Sequence, residues 1–69
     1  MNEISLLKQS DLEKMLNLKP STLEQMRLTG RGPKFCKVGR SVRYRLGDVQ
    51  AWIEANVFSS TAEADAARG

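Results

Sequence analysis

The stretch SDLEKMLNLKPSTLEQMRLTGRGP, residues 10–33, decides how this chain folds. It holds two short helical patterns with almost nothing between them. Ser10 followed by Glu13 has the spacing of a capping box, in which a serine oxygen and a glutamate carboxylate each satisfy a free amide donor, so a helix is predicted from Asp11. Leu12, Met15 and Leu16 fall at i, i+3 and i+4 and share one inward face, while Asp11 and Glu13 suit the positive end of the helix dipole. Asn17 is expected to end this helix, because asparagine tolerates the left-handed conformation of a tight turn. Pro20 opens the next, its fixed φ and missing amide hydrogen being suited to a first helical position. Only Asn17, Leu18 and Lys19 lie between. Two helices joined by so short a turn cross sharply, which is the geometry of a helix-turn-helix unit.

In the second helix Leu23 and Met26 face inward, and the 100° step per residue puts Ser21, Glu24 and Gln25 on the opposite side with Arg27 on the flank. Gly30, Gly32 and Pro33 end it. Beyond the break, Phe35 to Val38 and Val42 to Leu46 read as two strands of a β-hairpin around Gly39, Arg40 and Ser41. Alternation turns Cys36, Val38, Val42 and Tyr44 toward the helices and Lys37, Arg43 and Arg45 toward solvent, with Phe35 packing where the first strand begins. A last helix, Gly47 to Asn56, presents Val49, Trp52 and Ile53 at helical spacing and closes the core over Tyr44. Residues 58–69 are small and polar and are expected to form a flexible tail behind one domain at 1–57. The expected class is α+β, mainly helical: a winged helix-turn-helix with three helices and a two-stranded β-hairpin wing.

Composition narrows the functional classes. A chain of 69 residues makes one domain and buries too little for an elaborate active site. A single cysteine, Cys36, and no histidine leave no internal disulfide and no ordinary zinc site, so Cys36 reads as a small packing residue in a reducing compartment. No segment resembles a signal peptide or approaches the roughly 20 apolar residues of a membrane span, so the expected location is the cytoplasm, without a membrane partner. No nucleophile stands beside a base, no glycine loop cradles phosphate, and no carboxylates are spaced as acid and base, so neither catalysis nor a cofactor or metal is expected. Charge is unevenly distributed. The net charge is only +3, yet Arg27, Arg31, Lys34, Lys37, Arg40, Arg43 and Arg45 fall in one stretch that contains no acid. A field of one sign suits a polyanion, whose phosphates release counterions when Lys and Arg neutralise them.

Leu16, Leu18, the Ser21-Thr22-Leu23 helix start, Arg27, Gly30-Arg31-Gly32-Pro33 with Phe35, then Gly39, Arg43-Tyr44 and Trp52 resemble the small phage and prophage excisionase and AlpA-type regulators. Their helix-turn-helix is also similar to the N-terminal part of MerR regulators. The resemblance covers nearly all of residues 6–56. It implies a winged fold with helix two in the major groove and the hairpin along the backbone or minor groove of double-stranded DNA. It permits two roles, an architectural factor beside a phage integrase or a prophage transcription regulator, with adjacent copies side by side on the duplex. Lys19 departs from the serine or threonine cap common in the family, and Glu24 and Gln25 replace basic or aromatic residues.

The candidate contacts on helix two are Ser21, Thr22, Glu24, Gln25 and Arg27; those on the loop and wing are Arg31, Lys34, Lys37, Arg40, Ser41 and Arg43. Gln25 can read adenine bidentately, and Ser21 suits phosphate equally well. Glu24 either repels phosphate or accepts from a cytosine amino group. Arg27 contacts phosphate or pairs with Glu24 three residues earlier. Arg40, at the wing tip where little packing claims it, is the expected minor-groove or backbone contact. The alternative function is a basic protein-interaction module for an acidic partner. RNA ranks below both, since no exposed aromatic row or glycine clamp is present.

Overall fold

The computed structural model describes residues 5–68. In chain order these form β1 (Leu6–Leu7), α1 (Gln9–Leu16), α2 (Pro20–Thr29), β2 (Cys36–Val38), β3 (Ser41–Arg45), α3 (Leu46–Ala55) and α4 (Thr61–Arg68). The helix-turn-helix forms as expected, with corrected bounds. α1 starts at Gln9, and the expected box at Ser10 and Glu13 does not form. Its first turn is closed by Asp11, whose carboxylate accepts the Lys8 backbone N–H at 2.8 Å. The earlier start brings Gln9 four residues before Glu13, so that its amide Nε2 donates to the Glu13 carboxylate at 3.1 Å.

Both helices end in the same way. Asn17, at φ 53°, and Gly30, at φ 72°, take the left-handed conformation. The next amide in each case reaches back to a carbonyl of the last turn, Leu18 to Glu13 at 3.0 Å and Arg31 to Met26 at 3.1 Å. These are Schellman closures, and they satisfy carbonyls that the helices leave unpaired. Pro20 stands at the start of α2, as the sequence predicts.

The core consists of Leu12, Leu23, Tyr44 and Val49, with Leu7, Leu16, Leu18, Met26 and Val42 packed around them. Each of the three buried aliphatic side chains contributes about 1.5–3 kcal/mol on removal from water. Met15 and Ile53, expected inside, are 52% and 39% exposed. With α1 only eight residues long, one inward position per turn is filled, by Leu12 and then Leu16, and Met15 falls beyond the edge of the contact. Trp52 does not close over Tyr44 as a buried residue. It is half-buried, and its indole N–H donates to the Arg31 carbonyl at 2.9 Å, fastening the glycine-rich break to α3. Gly32 in that break has no room for a side chain, since a Cβ would lie 2.9 Å from the Met26 Cβ.

The expected two-stranded hairpin is a three-stranded antiparallel sheet in the order β1-β3-β2. β1 pairs Leu6 with Arg45 and Leu7 with Tyr44, and the Leu46 amide extends the ladder to the Ser5 carbonyl at 3.0 Å. The hairpin turn is Gly39–Arg40, two residues, because Val38 pairs directly with Ser41. Gly39 at φ +64° supplies the left-handed first position, which with a negative φ at Arg40 is the sign pattern of a type II′ turn. The three-residue loop read from the sequence would instead pair Val38 with Val42. One residue of register inverts every side chain of a strand. Val42 and Tyr44 do face the helices, but Lys37 shares their face, while Cys36 and Val38 lie with Ser41 and Arg43 on the other. Val38 is accordingly 55% exposed.

The tail also differs from expectation in containing a helix. The Ser60 hydroxyl accepts the Glu63 amide at 3.1 Å, the Glu63 carboxylate accepts the Ser59 amide at 3.4 Å, and alanine-rich sequence follows. Cap chemistry and alanine propensity favour a helix here, with little burial to add to them. Of 58–67 only Phe58 and Ala64 are half-buried; the rest are exposed. Removal of residues 58–69 is therefore expected to change unfolding stability, measured by urea titration, by less than about 1 kcal/mol. A larger loss would place α4 in the cooperative unit.

Candidate nucleic-acid interface

α2 is a ten-residue helix buried along one side only. Leu23 is fully buried and Met26 and Arg27 are half-buried, whereas Ser21, Thr22, Glu24, Gln25, Leu28 and Thr29 are exposed. At 100° per residue, the direction opposite the buried side is occupied by Ser21, Gln25 and Leu28. Glu24 lies on one flank, Thr22 and Thr29 on the other. Along the second flank runs an open groove lined by Ser21, Thr22, Gln25, Met26, Thr29 and Arg31. Within it the Thr29 hydroxyl is turned back onto its own helix, donating to the Gln25 carbonyl at 3.1 Å. Leu28 falls outside the polar pattern read from the sequence, although the same angular step locates it at the centre of the outward face.

Arg27 neither projects from the flank nor pairs with Glu24. Its Nη1 donates to the Gln9 side-chain oxygen at 2.8 Å and to the Tyr44 hydroxyl at 2.9 Å, and its guanidinium carbon lies 6.0 Å from the centre of the Phe35 ring. Phe35 in turn meets Tyr44 with ring centres 6.4 Å apart and tilted by 58°. A planar guanidinium with several fixed donors suits this position between a helix, a strand and an aromatic ring. Arg27 thus sits behind the exposed face of α2.

The basic residues divide by environment. Arg31, Lys34, Lys37 and Arg40 are exposed and, among the described residues, have no ion-pair partner. Arg40 occupies the hairpin turn, and Ser41 beside it is exposed. Arg43 is half-buried, with its Nη1 donating to the Val42 carbonyl at 2.8 Å. Arg45 pairs with Asp48 through two bonds, at 2.6 and 3.1 Å. The hydrogen bond and charge of Arg45 hold the Asp48 carboxyl below the ordinary carboxylate range, and Asp48 raises Arg45 in return. The pair is therefore intact above the ordinary carboxylate range and is lost only as pH falls through the depressed Asp48 value. At neutral pH the Arg45 charge is locally neutralised. The cations do not share one side of the ribbon, as alternation suggests: Lys37 lies on the helix-facing side and Arg43 on the other.

A family model described as a helix-turn-helix domain matches residues 6–57. No curated protein matches the chain. Among the described residues no helix is long and apolar enough to cross a membrane, and no group of three or more Cys, Asp or Glu is arranged to hold a metal ion.

The two arginines nearest the break should behave oppositely. Arg27→Ala leaves the Tyr44 hydroxyl, on a residue only 1% exposed, without its donor. It is expected to destabilise the fold by about 1–3 kcal/mol in urea titrations. Arg31→Ala, at an exposed side chain, should stay within about 0.5 kcal/mol. Equal effects would contradict the inward role of Arg27.

Proposed function

The chain belongs to this family of DNA-binding helix-turn-helix domains, and from that premise we propose that it binds double-stranded DNA sequence-specifically, as an excisionase-like architectural factor or a prophage transcription regulator. α2 enters the major groove, and the hairpin lies along the backbone or in the minor groove. The observation that carries the proposal is an exposed face on α2 bearing Ser21 and Gln25, with Arg31 in the groove beside it, together with the unneutralised cations Lys34, Lys37 and Arg40 on the following loop and hairpin. Such an arrangement separates pattern from charge: base edges are read by the helix, and phosphates are met by the loop and turn. Gln25 has the paired donor and acceptor that match adenine, while Ser21 and Thr22, at the helix start, suit phosphate. Glu24 on the flank favours a cytosine amino group over a phosphate. Arg43 and Ser41 lie on the outer face of the wing and serve only if the hairpin tip enters a groove. Arg27 reaches phosphate only by leaving Gln9 and Tyr44, so its part is to hold α2 in place.

The protein partners in this reading are adjacent copies on the duplex and a phage integrase. Neither requires a large apolar interface in the free protein.

Two substitutions test the division. Arg40→Ala is expected to weaken binding to all duplexes alike and to reduce the slope of log affinity against log salt by about one unit. Gln25→Ala is expected to cost about 1–3 kcal/mol on the preferred site, to relax discrimination at one base pair, and to leave the salt slope unchanged. Fluorescence anisotropy across a salt series reads both. If neither substitution alters duplex affinity while either disrupts a complex with an acidic protein, the domain serves as a protein-interaction module.

A further inference from the structure

Leu28 is the most exposed large hydrophobic residue among those described, at 81%. It lies on the same outward stripe as Ser21 and Gln25. From Ser21 to Leu28 the helix advances by roughly 10 Å, about three base-pair steps of a duplex. The other exposed large hydrophobics, Leu6, Met15, Phe35, Val38, Ile53 and Val57, all lie outside α2, so Leu28 has no apolar neighbour on its own helix with which to build a protein-binding patch. Isolated surface leucines are common, and leucine favours helices. This one, however, stands in the last turn of α2 on a face whose other residues, Ser21 and Gln25, are polar. In the major groove the apolar feature of a base edge is the C5-methyl group of thymine.

We propose that Leu28 is a specificity-determining residue that packs against a thymine C5-methyl group beside the base pair met by Gln25. The proposal rests on the double-stranded DNA reading above. It assigns to the outward face of α2 an apolar contact next to its polar ones, so that the preferred site carries a thymine at one fixed position within about two base pairs of the Gln25 contact.

The test begins by enriching bound duplexes from a random pool with the full chain. Each thymine of the enriched site is then replaced in turn by deoxyuridine, which removes the methyl group and nothing else. At one position the replacement is expected to weaken binding of the unaltered protein about fourfold, the worth of one buried methyl group. Leu28→Ala is expected to bind the thymine and uracil duplexes equally, and its thermal melting, followed by circular dichroism, should match that of the unaltered protein. Insensitivity at every thymine would overturn the proposal, as would a uracil penalty that persists undiminished in Leu28→Ala. Failure of the broader reading looks different: no duplex is enriched, and binding to any duplex shows no dependence on salt. That result overturns both.

Discussion

The guanidinium of Arg27 is where the separate pieces of this small fold meet. It joins α2 to α1 through Gln9 and to β3 through the Tyr44 hydroxyl, and it lies near the ring of Phe35 in the segment leading into the hairpin. With four fully buried side chains, apolar packing alone constrains the angle between helices and sheet only loosely. A planar cation with directional donors adds the missing constraint, because its partners must lie in one plane and at fixed separations. The polar end of Tyr44 would otherwise be an unpaired group at the centre of the core. The same contact anchors α2 from behind, so that its opposite face can project without a neighbour.

A second constraint follows from the length of the hairpin turn. Two residues, rather than three, place Lys37 on the helix-facing side of the sheet and Cys36 and Val38 on the far side. Charge that would have formed one sheet-wide patch is divided. Arg45 is neutralised by Asp48, Arg43 is folded onto its own strand, and the open cations are Arg31 and Lys34 at the break, Lys37 in β2 and Arg40 at the hairpin turn. The acid-free run of sequence therefore yields fewer open cations than its length suggests. Of these cations Arg31 lines the groove along the flank of α2.

Local chemistry made the helical half of the fold legible from sequence, and non-local pairing hid much of the rest. Pro20, Asn17 and Gly30 act within their own turns, so the helix-turn-helix and both its stops can be read from neighbouring residues. β1 is only two residues long and has no alternation to read; it exists because β3 offers an unpaired edge far along the chain. The register of β2 depends on one residue of turn length, below the resolution of a strand pattern. The capping box of Ser10 with Glu13 fails because Asp11 closes the helix earlier, while the Ser60 hydroxyl caps Glu63 in a segment whose small residues suggested no structure. Among the candidate contacts, exposure and spacing followed from the helical step for Ser21 and Gln25. The inward turn of Arg27 did not, because Gln9 and Tyr44 are distant in sequence.

The pairing of β1 with β3 also bears on how the chain acquires its shape during synthesis. The strand at Leu6–Leu7 finds its partner only in Tyr44 and Arg45, so the central strand of the sheet must be translated before the amino-terminal one can dock. Until then both helices of the helix-turn-helix emerge without the aromatic residue that fills their shared core. The ribosome thus delivers α2 well before the scaffold that orients it. Short helices of eight and ten residues are marginal alone in water, so a nascent chain interrupted between Thr29 and Ser41 holds the sequence of both helices without a fixed surface between them.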